Sequence, residues 1–272
     1  MPITKEDKIR ELLKLPRQSN IKYLYKYRSM QSTKLVERLE NLFINNEIYL
    51  SSPTSFNDPF ECRPNITIHK GNLKRRQYIK KMIQDNFPFA TKKEKESHIK
   101  KAMIMINNKE YQKDLYEQFI RTIGIYSLTA KNDDLLMWSH YSDGHRGICI
   151  EFDAAKGISL FGQALEVHYA EEYPIVNTMD FGNPEEFRKA LLTKSNHWEY
   201  EREWRILKTA HNGGPGIRNF QADLLTGVIL GTLISHEHKD MILDWISKYP
   251  TRINVYQAKI NETKYKLDIE PI

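Results

Sequence analysis

The sequence predicts an α+β protein: a mixed, mainly antiparallel central sheet or sheets with flanking helices and an inserted basic helical module. Three observations predict it. Short stretches alternate apolar and polar residues with the two-residue period of strands, as in KYLYKYRSM (22–30). Others repeat apolar residues at helical spacing, as in STKLVERLENLFINNE (32–47). Between Lys70 and Arg121 the pattern is helical throughout and rich in lysine. At 272 residues the chain is long enough to bury a sizeable core, and we read it as one domain, 1–272, with 70–121 inserted in it.

Taken in order, TKEDKIRELLKL (4–15) opens on a Thr cap and makes a short helix that Pro16 ends. KYLYKYRSM follows as a strand with Tyr23, Tyr25 and Tyr27 on one side and Leu24, Lys26 and Arg28 on the other. The helix over 32–47 buries Leu35, Leu39, Leu42 and Phe43 and stops at Asn45-Asn46. IYLSS (48–52) is a second strand and leads into PTSFNDPFEC, where two prolines around Asn57-Asp58 force a compact turn. That loop either presents Asp58 and Glu61 at a strand end, or is an Asx-turn with Glu61 on the surface. Two or three helices then carry Leu73, Ile79, Met82, Ile83, Ile99, Met103, Ile106, Leu115 and Phe119 as their apolar stripe.

IGIYSLT (123–129) is a strand, Asn-Asp-Asp caps the helix DLLMWSHY, DGHRG turns, and ICIEF is the next strand. Gly144 and Gly147 serve that turn, since neither a G-x-G-x-x-G nor a P-loop pattern is present. Residues 163–176 read as one strand ending at Pro174, and 184–196 as a helix with proline in its first turn. TGVILGTLI (226–234) is the most apolar strand, Ser235 caps a helix to Tyr249, and INVYQAKI and YKLDIE close the sheet.

Composition limits the function classes. Cys62 and Cys149 stand far apart with no Cys-x-x-Cys, so neither a disulfide framework nor a zinc site is indicated, and both read as buried thiols. No run of eighteen apolar residues occurs and the first residues lack an apolar signal core; we expect a cytoplasmic protein without a membrane partner. The net charge of +6 is uneven: residues 69–101 hold eleven Lys or Arg against three Asp or Glu. Such an element is either a solvated helix face or a surface for nucleic acid.

The stretch HWEYEREWRIL (197–207) carries the densest chemistry. Read as a strand, it sets Glu199, Glu201, Glu203 and Arg205 on one face. Three carboxylates in register repel one another unless Arg205 or another cation answers them, or a site uses them. An edge strand kept soluble by charge is the alternative.

Four blocks, LYKYRSM, LSSPTSFNDPFEC, LLMWSHYSDGHRGICIEFD and WEYEREWRI, together resemble a widespread bacterial domain family of unknown function, over roughly residues 22–210. The marks are FNDPFE, Trp138-x-x-Tyr141 and Glu201-x-Glu203-Trp204-Arg205. More weakly, the chain resembles the ADP-ribosyltransferase superfamily. There an Arg or His on the first core strand grips NAD, a Ser-x-Ser or aromatic element frames the nicotinamide, and a late Glu-x-Glu or Gln-x-Glu supplies the carboxylate. Here Arg28 follows Tyr27 on the first strand, Ser51-Ser52 or Ser127-Leu128-Thr129 lies in the middle, and Glu201-Arg202-Glu203 comes late. The chain lacks a Ser-Thr-Ser and leaves Lys26 and Arg28 both eligible.

The resemblance implies an NAD-dependent ADP-ribosyltransferase-like effector, of toxin or phage-defence type, acting on a protein or nucleic-acid acceptor. Glu203 would stabilise the cationic ribose as nicotinamide leaves, as carboxylates do in glycoside cleavage, and Glu201 would orient or deprotonate the nucleophile. NAD, as substrate, would meet Arg28, Tyr27, Ser52, Asn57, Asp58, His140 and Tyr141, with Arg28 on the diphosphate. The basic helices over 70–101 would receive a nucleic-acid acceptor. Two other readings stand beside this one. A metal-dependent nuclease or hydrolase would gather Asp58, Glu61, His140 and Asp143 around a divalent cation, although no H-E-x-x-H pattern is visible. A non-catalytic binding module would use the basic and aromatic surface alone.

Overall fold

A computed structural model of the chain describes residues 14–68, 71–177, 179 and 183–272. The helix expected over 4–15 lies outside these except for its last two residues, and His69 and Lys70 of the basic stretch also lie outside them.

The chain is α+β, with a large mixed and mostly antiparallel central sheet and several helices. Eight strands form that sheet: β1 (Tyr23–Arg28), β4 (Gly124–Thr129), β5 (Ile148–Asp153), β6 (Leu165–Glu166), β10 (Glu203–Lys208), β12 (Leu225–Leu230), β13 (Asn254–Ile260) and β14 (Leu267–Pro271). Their spatial order is β14-β13-β12-β5-β1-β4-β10-β6. All neighbours run antiparallel except β12 and β13, which α7 (His236–Ser247) connects as a crossover needs. Three two-stranded pieces flank the sheet: β2 (Glu47–Leu50) with β11 (Gly216–Asn219), β3 (Asn65–Thr67) with β8 (Ile175–Asn177), and β7 (His168–Ala170) with β9 (Thr193–Ser195). The single strand expected over 163–176 is therefore three short ones, β6, β7 and β8, each with a different partner.

Helix α1 (Thr33–Asn45) ends at Asn46, whose φ of 54° is a left-handed stop. It buries Leu39, Leu42 and Phe43, while Leu35 stays half-buried at the mouth of a cleft. Phe43 stacks on Trp245 of α7 at 5.8 Å, so α1 and α7 together cover one face of the sheet. On the opposite face Tyr116 and Ile120 of α4 (Lys109–Arg121) and Leu191 of α6 (Pro184–Leu192) pack on Ile123 and Ile125. A third cluster joins Tyr27, Cys149 and Ile229 to Trp138 of α5 (Leu135–Tyr141), whose first turn Asp134 caps. Cys62 and Cys149 are both buried free thiols.

Helices α2 (Asn72–Asn86) and α3 (Lys92–Met105) pack on each other through Ile79, Ile83 and Ile99, and Thr91 and Glu94 close a reciprocal capping box at the start of α3. Leu73, Met82 and Leu115, expected in the apolar stripe, are exposed. A helix that meets one neighbour buries only a narrow seam, so apolar spacing overstated the covered face.

The central sheet is split. Strand β1 pairs with β5 along all six residues, but with β4 only at Tyr25–Thr129. From there β1 and β4 diverge. The far end of the free β4 edge is taken by a different segment, since Ser51 and Ile125 exchange both backbone hydrogen bonds. Ser127 lies between these two pairings, so its amide and carbonyl face the gap. Gly147 makes the β1–β5 corner: a side chain there would meet the Arg28 carbonyl at 2.0 Å.

A charged cleft in the split sheet

The gap between β1 and β4 opens a cavity of about 650 Å³. That is within the roughly 300–1,000 Å³ of small-molecule sites. Register and alternation set Tyr25, Tyr27, Ser127, Thr129, Glu203 and Arg205 on one face of the sheet and Lys26, Arg28, Tyr126 and Leu128 on the other. In an intact sheet these two sets would be sealed apart. Because the strands part, Lys26 and Arg28 line the same cavity as Glu201 and Glu203. All four blocks quoted above contribute to its lining.

The acidic wall is a buried ion-pair network. The Lys194 ammonium, at the centre of β9, reaches Glu201 at 2.5 Å, Glu203 at 3.1 Å and Glu61 at 3.2 Å. Arg205, fully buried, grips Glu203 with two nitrogens at 2.8 and 3.0 Å, bonds Glu61 and donates to the Leu191 carbonyl. Tyr141 donates its hydroxyl to Glu201 at 2.5 Å, and the Glu203 amide donates to the Tyr169 hydroxyl. Three carboxylates thus face two cations, which leaves one excess negative charge.

That excess falls on Glu201. Burial would raise the Glu203 carboxyl, but Arg205 and Lys194 hold it well below the usual carboxylate range. Glu201 is raised, because burial outweighs Lys194 and the charge of Glu203 adds to it. Burial would lower Lys194, yet Glu203, Glu61 and Glu201 together raise it. The network therefore holds one carboxylate firmly ionised and, beside it, one that takes up a proton more readily.

The opposite wall is cationic. Among the described residues neither Lys26 nor Arg28 has a carboxylate in ion-pair reach. Lys26 donates to the Ser127 carbonyl at 2.6 Å, in place of the strand pairing lost at the split. Burial, with Arg28 next, pushes its ammonium down to about 7. Both cations sit over the Tyr126 ring, at 5.0 and 5.6 Å, and the buried Tyr126 hydroxyl has no hydrogen-bond partner among the described residues. Two cations that no described carboxylate pairs, side by side on a cavity wall, suit an anion.

The structure revises several expected positions. HWEYEREWRIL is not one strand: Asn196–Glu201 is a 3-10 turn, Arg202 takes a left-handed φ of 43°, and β10 starts at Glu203. Glu199 consequently points to solvent and pairs with Arg202 at 3.8 Å. The third carboxylate of the cluster is Glu61, drawn in from the FNDPFE loop. Asp58 accepts from the Phe60 amide in an Asx-turn and lines a neighbouring cavity, not the cleft. Ser52 caps its own turn through the Thr54 amide, and His140 bonds Tyr200 outside the cleft. Tyr27, Asn57 and Tyr141 do line it; Tyr27 donates to the Lys131 carbonyl and meets Trp138 edge-on.

The metal set is not assembled: Asp58 and Glu61 face different cavities, His140 pairs with Tyr200, and Asp143 accepts from Gln31. Among the described residues no group of three or more His, Cys, Asp or Glu is placed to hold a metal ion. Lys194 escaped the sequence reading. A lone lysine in Thr-Lys-Ser carries no motif; the only signal was the need for a cation to answer adjacent glutamates. No helix among the described residues is long and apolar enough to cross a membrane.

Fold and site define an α+β protein with a charged cleft cut into the middle of its central sheet. Residues 137–206 match the model of a family described as a protein of unknown function, DUF2971. That match takes in Tyr141, Lys194, Glu201, Glu203 and Arg205, while β1 and the FNDPFE loop lie outside it. No curated protein and no solved structure matches the chain.

Proposed function

We propose that the chain is an NAD-dependent ADP-ribosyltransferase-like enzyme, with a fold of that kind, acting in the cytoplasm as a toxin or defence effector. One observation carries this reading: an ionised glutamate and two cations without ion-pair partners among the described residues, more than 170 positions apart in sequence, line one cavity of dinucleotide scale. Lys26 and Arg28 receive the diphosphate. Glu203, kept anionic by Arg205 and Lys194, faces the ribose, whose C1′ gains positive charge as nicotinamide departs with the bonding electrons. Glu201 takes the proton of the attacking nucleophile, a role that suits its raised affinity for protons.

The test is release of nicotinamide from NAD by the wild-type chain, by Arg28→Ala and by Glu203→Gln. We expect release from the wild type and a loss of at least about a hundredfold in each variant, the size of general acid–base and charge-stabilising contributions. Full turnover by folded Glu203→Gln, or none by the wild type with any acceptor, overturns the assignment.

The basic helical pair supports nucleic acid as the acceptor class. Residues 71–101 carry ten Lys or Arg against three Asp or Glu, and Lys74, Lys80, Lys81, Lys92, Lys93, Lys100 and Lys101 are exposed. Binding to RNA or DNA that weakens steeply with salt is the expected result; salt-independent binding would exclude phosphate contacts.

A further inference from the structure

A second cavity, of about 480 Å³, adjoins the cleft, and Lys194 belongs to the lining of both. Nothing in the reading above uses it. Its walls are aromatic: Phe60 is 63% and Tyr173 49% exposed, and Trp198 is half-buried beside them. Three rings gathered around one hollow suit a ligand that stacks on them.

Charge decides what kind of ligand. Asp58, Glu171 and Glu172 line the cavity, and among the described residues none of them forms an ion pair. Two cations share the lining. The charge of Lys194 is already met by Glu61, Glu201 and Glu203, and its ammonium lies over the Trp198 ring at 5.1 Å. Arg63 is exposed and, among the described residues, reaches only the Pro59 carbonyl. Three uncompensated carboxylates against one such cation, among exposed rings, favour a positive guest through ion pairing and cation–π contact. The second cavity thus lacks the cationic wall that Lys26 and Arg28 give the cleft.

We propose that this second cavity binds an organic cation, an ammonium or guanidinium group carried on an apolar or aromatic body. The proposal goes beyond the NAD reading and does not depend on it, because binding is measured without turnover.

The experiment is titration calorimetry of the wild-type chain with phenethylammonium, with its neutral isostere phenethyl alcohol and with the anion phenylacetate. We expect the cation to bind at least about tenfold more tightly than the alcohol, a difference of about 1.4 kcal/mol, and the anion not to displace the cation. Phe60→Ala, at an exposed site that leaves the core intact, should weaken the cation about tenfold. Glu171→Gln combined with Glu172→Gln should bring cation and alcohol to equal affinity. Equal binding of cation and alcohol by the wild type, no binding of either, or binding indifferent to both sets of substitutions would each overturn the proposal.

Discussion

The Nζ of Lys26 donates to the carbonyl oxygen of Ser127 at 2.6 Å, across a gap in which β1 and β4 no longer pair. A side chain thus replaces a rung of the ladder. The bond ties the split at a fixed width, and it places an ammonium whose affinity for protons is reduced beside the buried glutamates.

The first prediction concerns pH. Lys26, pushed down to about 7, loses its charge as pH rises through neutrality. If it holds a phosphate, KM for NAD should rise from pH 6 to pH 8.5 with little change in kcat. Lys26→Arg, charged throughout, should abolish that rise. Steady-state kinetics across the range check it, and an unchanged profile in Lys26→Arg would remove Lys26 from the binding role.

The same residue has a stability signature. The unfolded chain keeps this proton up to the ordinary lysine value of 10.5 and the fold gives it up near 7, so the unfolded state binds more protons between them. Stability contributed by this group should therefore increase from pH 7 to pH 9. Urea unfolding of wild type against Lys26→Met should show a difference that changes with pH over that window.

Lys194→Met should be among the most damaging single changes. It leaves Glu61, Glu201 and Glu203 buried with Arg205 alone, and removing one partner of a buried ionic cluster costs about 3–5 kcal/mol. Chemical denaturation at pH 7 measures it. Glu199→Gln, on the exposed neighbour, should change stability by less than about 0.5 kcal/mol.

Acid should cost the network its stability at Glu203, although Glu201 takes up a proton first. Its folded carboxyl lies far below the ordinary 4.5, so its contribution is complete above that value and is lost as pH falls below it. Lys194 gives the mirror image: raised above 10.5, it contributes fully below that pH and the gain fades above it. Glu203→Gln should flatten the acid limb of the unfolding profile, and an unaltered limb would mean that other groups govern acid stability.

What could be read from the sequence follows from how local each feature is. The strands β1, β4, β5 and β12 and the helices α1 and α7 show in period and caps, because apolar patterning, Ser starts and Asn stops are written within a few positions. Glu201 and Glu203 stood out by type and spacing, and Arg28 through the resemblance. The error at Glu199 has a local cause in Arg202: a left-handed residue ends the 3-10 turn, and nothing in Glu-Arg-Glu announces it, since arginine seldom adopts that conformation. The partners Lys194 and Glu61 were legible only as a demand for compensating charge. Which distant segment meets that demand depends on tertiary closure, which no window of sequence contains. The split itself had no signal, because β1 and β4 read as ordinary strands.

The parted strands also make the protein selective in a way that no side chain supplies. Main-chain polar groups at the heart of a sheet are normally quenched by the adjoining rung; here the Ser127 carbonyl takes the Lys26 ammonium and the Ser127 amide turns toward whatever enters. A greasy visitor would strip that amide of water and return nothing, forfeiting about 1–3 kcal/mol. Molecules dense in oxygen and nitrogen escape that penalty, so the backbone screens candidates before any charged residue is consulted.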